Sequence, residues 1–401
     1  MSNPATLSAW QQEMRAEFEA IADWWLEHVI CLDSGDIAAE VSADNKRNRK
    51  AGKSLVYSAR LLWFFSAAFR FRPDPRFRAA ADLCYRELTS LYPDRRNGGL
   101  VWSVDAAGLP DSRKKQCYGL CFAVYALTEY FMATGHGDAI VTAEDLVCLV
   151  ERNMYDTEHG GYIEAMTPDW RTLEDMRLGD TDLNAEKTMN THLHVLEAWI
   201  NFHRAQPGAE SAARLARVAD LFLQHFVASG GYQKRFFTRD WQELPAEISF
   251  GHDIEASWLL WEAGAVLDNG ALRGRLLGPV VELADSVLES GAGPEGEVFH
   301  EGTQREAVDR SRIWWVQAEA LVGFMNAWQV TADERFLEAS RASWAFIRDY
   351  QRDTEYGEWA WYSRLDRAAP PIYKAGFWKA PYHNGRAMLE MIRRLSAGRN
   401  A

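Results

Sequence analysis

Three short stretches of the chain each place a histidine beside an acid, an amide or a guanidinium at helical spacing. The stretches are residues 189–197, 251–255 and 378–386. Histidine is the side chain whose ordinary pKa lets it take up and release protons near neutral pH, so several histidines in one pocket indicate proton-transfer chemistry. The candidates for such a pocket are His194, His252 and His383.

The first stretch contains two histidines, which we expect to play different parts. On a helix, His194 shares a face with Asn190 and Glu197, whereas His192 points about 200° away and is predicted to be a packed, structural residue. An H-x-H pair is also compatible with a metal site, because neutral imidazole is a common metal ligand. A strand would turn both rings to one side and favour this alternative, but the stretch is typical of a helix, so we expect no metal.

The other two stretches have a related pattern. Glu255 lies three residues after His252 and can orient its imidazole or bind a ligand hydroxyl beside it. His383 follows Pro381, which indicates the start of a helix, and Arg386 lies one turn further on. Any one of these histidines is more often structural than catalytic, and only their combination favours chemistry.

Aromatic side chains accompany the histidines. They are Trp63, Trp102, Tyr118, Trp314, Trp315 and Trp378. Their flat faces suit the C–H faces of a sugar ring, although core packing is the more frequent role of any one tryptophan. The pair Trp314-Trp315, followed by Glu319 one turn later, is the strongest candidate for ligand contact.

The elements that must position these residues are predicted to be helices, so the fold class is all-α. Apolar residues three and four apart indicate buried helix faces in residues 59–71, 117–133, 212–225 and 313–328. Glycines in predicted turns recur at steps of 63, 62, 70, 66 and 61 residues from Gly35 onward. Each unit holds two helices and two connections. Six helical hairpins, or twelve helices in inner and outer rings, predict an (α/α)6 barrel, with an open solenoid as the alternative.

Closure into a ring makes a prediction about the site. Equivalent positions in each unit would face one central cavity, and every unit offers a candidate 19 to 33 residues after its last turn glycine. The candidates are Arg60, Tyr118, His194, His252, Trp315 and His383.

Composition limits the classes of partner. The 401 residues carry a net charge of -13, which argues against nucleic acid or an anionic membrane as a partner. We expect one domain, residues 1–401, in the cytoplasm, because neither a leader segment nor a membrane-spanning apolar run is evident. The five cysteines fit neither a disulfide framework nor a zinc site and are expected to be structural.

These residues resemble the N-acylglucosamine 2-epimerase superfamily, and within it the cellobiose 2-epimerase and mannose 2-epimerase branch. The matching segments are residues 58–66, 187–199, 251–260, 314–319 and 378–386. The resemblance implies an (α/α)6 barrel that inverts C2 of a small-molecule sugar without a cofactor, as a monomer or weak homodimer. One departure is Ser34-Gly35-Asp36 where the branch usually has Gly-Gly-Phe, which leaves the preference for a disaccharide open.

The resemblance also implies roles. His252 and His383 would be the acid/base pair, and His194 would assist ring opening or proton handling at the sugar oxygens. The reducing-end sugar would be bound by Arg60, Tyr118, Asp182, Asn190, Glu255, Trp315, Glu319 and Trp378.

Such residues suit the chemistry of epimerisation. Removal of the C2 proton needs the open-chain aldehyde and a cis-enediolate stabilised by groups such as Arg60 and His194. An aldose–ketose isomerase would return the proton to C1 of the same intermediate, although the Gly-His-Asp-Ile-Glu sequence around His252 resembles the epimerase branch more. Two alternatives come from other classes: an inverting glycosidase that uses Glu255 and Glu319, and a sugar-binding protein without catalysis.

Overall fold

Helices dominate residues 4–397, the part of the chain that the computed structural model describes. The helices are α1 (Pro4–His28), α2 (Leu55–Phe71), α3 (Pro75–Leu91), α4 (Cys117–Thr134), α5 (Gly137–Asn153), α6 (Met189–Ala205), α7 (Ala209–Leu221), α8 (Phe250–Val266), α9 (Gly270–Ser286), α10 (Trp314–Thr331), α11 (Glu334–Phe346) and α12 (His383–Ala397). One turn of π-helix extends each of α7, α9 and α11, at Phe222–Phe226, Val287–Gly291 and Ile347–Gln351. Residues 1–3 and 398–401, the ends of the predicted 1–401 domain, lie outside the described residues.

Short antiparallel strands fill the connections. They are β1 (Ile30–Cys31), β2 (Asp36–Ile37), β3 (Lys53–Ser54), β4 (Ser103–Val104), β5 (Pro110–Ser112), β6 (Lys115–Gln116), β7 (Ala165–Met166), β8 (Lys187–Thr188), β9 (Val227–Ala228), β10 (Tyr232–Gln233), β11 (Phe236–Phe237), β12 (Glu243–Leu244), β13 (Ile248–Ser249), β14 (Glu301–Gly302) and β15 (Ala307–Asp309). They pair in small sheets of two or three strands, such as β12-β11-β8 and β13-β14-β15. Strands β3, β6, β8 and β13 each end where an even-numbered helix begins.

The even-numbered helices form the inner ring of a closed barrel. Each of them packs against the next, and α12 returns to α2, so the ring closes. Inner helices such as α4 and α10 are apolar around most of their circumference and are buried over most of their length, as expected for helices covered on all sides. The odd-numbered helices pack outside them. The predicted (α/α)6 barrel is therefore confirmed, and the open solenoid is wrong.

The sixth hairpin differs from a simple sequential repeat. The unit that begins at Gly357 contains α12 alone, and its outer partner is α1, from the other end of the chain. The indole of Trp359, ahead of α12, donates to Glu17 of α1 at 2.7 Å, and the guanidinium of Arg352 pairs with the same carboxylate. Contacts between the two ends of the described chain thus stabilise the closed ring.

A turn with two glycines follows α5 and binds the strand that precedes the inner helix α6. After α5, the N–H of Gly160 donates to the carbonyl of Asp156, whose own N–H donates to the carbonyl of Gly161, both at 2.8 Å. Gly161 has φ of +79°, and a Cβ there would lie 2.5 Å from the ring of Trp241. The carboxylate of Asp156 binds Lys187 of β8 at 3.0 Å, which fixes the turn to the start of α6.

In residues 4–397, none of the helices is long and apolar enough to cross a membrane. The five cysteines are all unpaired; Cys117 and Cys121 are buried in α4, whereas Cys148 is exposed.

Candidate active site

A cavity of about 320 Å³ lies at the N-terminal ends of the inner helices. It is lined by Arg60, Tyr118, Asp182, Asn190, His194, His252, Glu255, Trp315, Trp378 and His383, together with Trp314, Trp361 and loop residues 178–181. Every predicted site residue except Glu319 is in this lining. The six candidates from the repeat fall within the first six residues of α2, α4, α6, α8, α10 and α12. Their unequal distances from the glycines therefore reflect the unequal lengths of the connections.

Glu319 lies behind His383 and orients it. The Nδ1 of His383 is 2.6 Å from Oε1 of Glu319, and the indole of Trp258 donates to Oε2 at 3.1 Å. Because a carboxylate only accepts, Nδ1 carries the hydrogen and Nε2 of the neutral ring keeps a lone pair. Burial lowers the pKa of His383 well below its ordinary value, and the charges of Arg60 and Arg386 lower it further. The neutral ring can act as a base.

His194 has a carboxylate partner of its own. Its Nδ1 is 3.0 Å from Oε2 of Glu197, which also accepts from the hydroxyl of Tyr382. Burial by itself would raise the pKa of Glu197, but the charge of Arg386 and the bond from His194 lower it to about 2. Glu197 is therefore ionised and holds the His194 ring with Nδ1–H toward it.

His252 differs from the other two because its partner is a hydroxyl. Its Nδ1 lies 2.7 Å from Oγ of Ser249. The ring packs against Trp315 with centroids 4.8 Å apart, and the ring of His383 contacts the same tryptophan at 5.6 Å. The imidazoles of His252 and His383 therefore both contact Trp315, and all three side chains line the cavity.

Arg386 links the carboxylates under the cavity. Its Nη1 binds Glu197, and its Nη2 donates to Oε1 of Glu255 and of Glu319, at 2.7 Å each. Three acidic side chains therefore share one buried guanidinium. Burial and the neighbouring charge of Glu319 raise the pKa of Glu255 well above its ordinary value, because one guanidinium offsets this only in part. The Oε2 atom of Glu255 has no partner within the described residues. We infer a neutral carboxyl group facing the cavity.

Arg60 supplies positive charge to the lining of the cavity. Its guanidinium donates to the carbonyl of Trp378 at 3.0 Å and to the hydroxyl of Tyr118 at 2.8 Å, both neutral partners. The guanidinium also lies over the rings of Phe122 and Tyr382, at 4.4 and 4.8 Å from their centroids. Burial raises the pKa of Tyr118 to about 12, so it is a phenol. This cation can stabilise an anion that forms in the cavity.

Asp182 and Asn190 line the edge of the cavity. Asp182 lies on the loop between β7 and β8, where its carboxylate accepts from the N–H of Gly179 at 2.8 Å. The side-chain oxygen of Asn190 is buried without a partner in residues 4–397. Both residues also line a neighbouring cavity of about 520 Å³. A ligand larger than one ring therefore has room beside the histidines.

His192 is a packed residue, as predicted from the spacing. Its ring donates from Nδ1 to the carbonyl of Thr188 at 2.7 Å and accepts at Nε2 from the N–H of Tyr162 at 2.9 Å. Burial lowers its pKa to about 3.

Among the aromatic candidates, Trp314, Trp315 and Trp378 line the cavity. Trp63 instead stacks on Tyr125 toward the other end of the barrel, and Trp102 lines an adjoining cavity of about 550 Å³ next to Trp378.

Sequence reasoning left four important residues without a role. Arg386 and Glu197 each follow a site histidine by three residues, and that spacing was the available signal. Tyr382 and Ser249 had no signal in the pattern, because their contacts depend on side-chain directions at the starts of α12 and α8.

One group could bind a metal ion. Glu255, Glu319 and His383 place ligand atoms within 4.8 Å of one another. Both carboxylates already accept from Nη2 of Arg386, so a metal ion here would have to displace a guanidinium. The donor set is better suited to orienting His383 than to coordinating a cation.

A family model and several known proteins match most of the chain. The family model described as N-acylglucosamine 2-epimerase matches residues 37–386. A cellobiose 2-epimerase from Bacteroides fragilis is 35% identical over 385 residues, which are 95% of this chain and 98% of the relative. The solved structure of a cellobiose 2-epimerase from Spirochaeta thermophila is 37% identical with a TM-score of 0.87 and covers 98% of both chains. A D-mannose isomerase from Marinomonas mediterranea is 23% identical over 86% of this chain and 87% of the relative.

Proposed function

Because the chain belongs to the N-acylglucosamine 2-epimerase family and is a sugar 2-epimerase, we propose that its substrate is a β-1,4-linked disaccharide such as cellobiose, or free mannose and glucose. The product would be the C2 epimer of the reducing-end sugar. The cellobiose 2-epimerases among its relatives favour the disaccharide, and the cavities beside Asp182 and Trp378 offer space for a second sugar ring.

The contact of both His252 and His383 with Trp315 in the lining of one cavity carries the proposal. After the sugar ring opens, Nε2 of one imidazole takes the C2 proton and the electron pair moves into the aldehyde, giving a cis-enediolate. The other histidine, protonated, returns a proton to the opposite face of C2, which inverts its configuration. The residues thus supply one base and one acid without a cofactor.

The remaining predicted residues would hold the open-chain sugar. Arg60 and His194 would stabilise the enediolate oxygens, since the hydrogen-bond partners of Arg60 among the described residues are neutral. The neutral carboxyl of Glu255 would donate to a sugar oxygen, and Glu319 would act through His383 rather than touch the sugar. Contacts to the sugar would come from Tyr118, Asp182, Asn190, Trp315 and Trp378.

Deuterium exchange tests the proposal. The protein is incubated with cellobiose, mannose and glucose in deuterated water, and NMR should show deuterium at C2 together with the 2-epimer. His252→Ala and His383→Ala should each abolish exchange, whereas His159→Ala, outside the cavity, should leave it unchanged. Full exchange in both cavity variants would refute the acid/base assignment.

The same experiment separates the alternatives. A ketose labelled at C1 would indicate the isomerase, and release of monosaccharide would indicate a glycosidase. The geometry does not favour the glycosidase: oxygens of Glu255 and Glu319 lie within 4.8 Å of each other, closer than the roughly 6.5–9.5 Å of inverting enzymes. We also propose that residues 1–401 act as one catalytic domain, a monomer or weak homodimer, in the cytoplasm.

A further inference from the structure

Ser249 occupies the N-cap of α8, where a hydroxyl usually binds the free N–H groups of the first helical turn. Ser54 and Thr188 hold the same position before α2 and α6, and their oxygens accept from backbone N–H groups at 3.0 and 3.1 Å. Ser249 makes no such cap. Its hydroxyl instead bonds Nδ1 of His252 at 2.7 Å. Unlike Ser54 and Thr188, Ser249 therefore binds a histidine of the cavity instead of the backbone of its helix.

A hydroxyl partner gives an imidazole more freedom than a carboxylate does. Glu319 and Glu197 can only accept, so they hold His383 and His194 with Nδ1–H and stabilise their protonated forms. The hydroxyl of Ser249 can accept from Nδ1–H or donate to a bare Nδ1. His252 can therefore present a lone pair at Nε2, or a hydrogen there while the ring is neutral.

The charged surroundings also make the protonated His252 unstable. The groups whose positive charge disfavours a proton on its ring are Arg235 and His300 from the connections around it, and His194 and His383 from the lining of the same cavity. Burial and these groups keep the pKa of His252 well below its ordinary value. Arg235 is itself paired with Glu301 at 2.8 Å. A protonated His252 is thus a stronger acid than a histidine held by a carboxylate.

We propose that Ser249 is a positioning residue of the reaction, which holds the His252 ring and keeps it the less basic of the two histidines. When Nε2 of His252 takes the C2 proton, Nδ1–H donates to Oγ of Ser249, and no carboxylate retains the proton. The imidazolium therefore releases this proton readily, and in the reverse reaction it is the acid that delivers a proton to its own face of C2. This inference rests on the proposed epimerase reaction.

Three substitutions test it in the full-length protein. Ser249→Ala should lower kcat for C2 exchange about 10- to 100-fold, as is typical when a partner that orients a histidine is lost, with KM changed less than about threefold. Ser249→Thr keeps the hydroxyl and should restore the rate to within about threefold. Ser249→Asp should move the acid limb of the kcat/KM profile upward by about 1 pH unit or more, because a carboxylate stabilises the imidazolium and His252 must be neutral to take the proton. Ser54→Ala is the control for a lost N-cap: it should lower Tm and leave the pH profile in place.

The outcomes separate this inference from the proposed function. Wild-type protein that exchanges no sugar would refute the epimerase itself. Exchange at full rate in Ser249→Ala, equal losses in the Ala and Thr variants, or an unmoved limb in Ser249→Asp would overturn only the role of Ser249. Nitrogen-15 NMR of the imidazoles needs no turnover: Ser249→Ala should shift the signal that disappears in His252→Gln and leave the His194 and His383 signals in place.

Discussion

Substitution of Glu319 by glutamine would measure how much the carboxylate behind His383 contributes to catalysis. Two unit charges about 4 Å apart interact by about 4 kcal/mol at an effective dielectric constant of about 20. Arg386 binds the same oxygen of Glu319 and offsets part of this interaction. We therefore expect the substitution to remove about 2–3 kcal/mol of the stabilisation that Glu319 gives to protonated His383. At about 1.4 kcal/mol per decade, the rate of C2 exchange should fall about 30- to 150-fold. The alkaline limb of its pH profile should move to lower pH, since the imidazolium becomes less stable.

Initial rates of deuterium incorporation between pH 5.5 and 9 provide the assay for Glu319→Gln. Three carboxylates share one guanidinium, so removal of one charge should change Tm little. Glu262→Gln is the matched control, because Glu262 pairs with Arg204 at the far end of the barrel, and it should leave the profile in place. An unchanged rate and an unmoved limb in Glu319→Gln would refute a role for the carboxylate through His383.

Three further predictions concern single residues near the cavity. Burial raises the pKa of Asp253 from 3.8 to about 8, so its carboxyl binds a proton on folding and the wild type loses stability as pH rises from about 4 to about 8. Asp253→Asn should therefore stabilise the fold by up to about 4 kcal/mol at pH 7, and a Tm difference independent of pH would contradict this. A Cβ on Gly251 would lie 2.6 Å from the Trp315 ring, so Gly251→Ala should displace that ring and reduce kcat/KM at least about tenfold, as measured by exchange rates; unchanged rates would argue against this contact. His192→Ala leaves the N–H of Tyr162 without its acceptor and should cost about 1–3 kcal/mol in thermal unfolding while the folded protein keeps its exchange rate; a loss of exchange at full stability would place His192 in the reaction.

The fold was largely predictable because each unit of its repeat carries its own sequence signals. Helices such as α4 and α10 are apolar around most of their surface, which marks them as inner elements, and turn glycines such as Gly160 need a backbone conformation that other residues avoid. The distribution of these two signals predicted six units and a closed ring. The pairing of α1 with α12 was not predictable in this way, because it joins helices more than 350 residues apart and no local signal names the partner.

The sequence by itself determined which residues could do proton chemistry, since His194, His252 and His383 each stand near the start of an inner helix and equivalent positions of a closed ring face one cavity. The tertiary structure decided how they differ. Glu319 reaches His383 across 64 residues of sequence, and Arg386 gathers carboxylates from three other helices. Partners of this kind depend on where side chains meet after the ring closes. Burial, which only the closed ring supplies, then sets their charges.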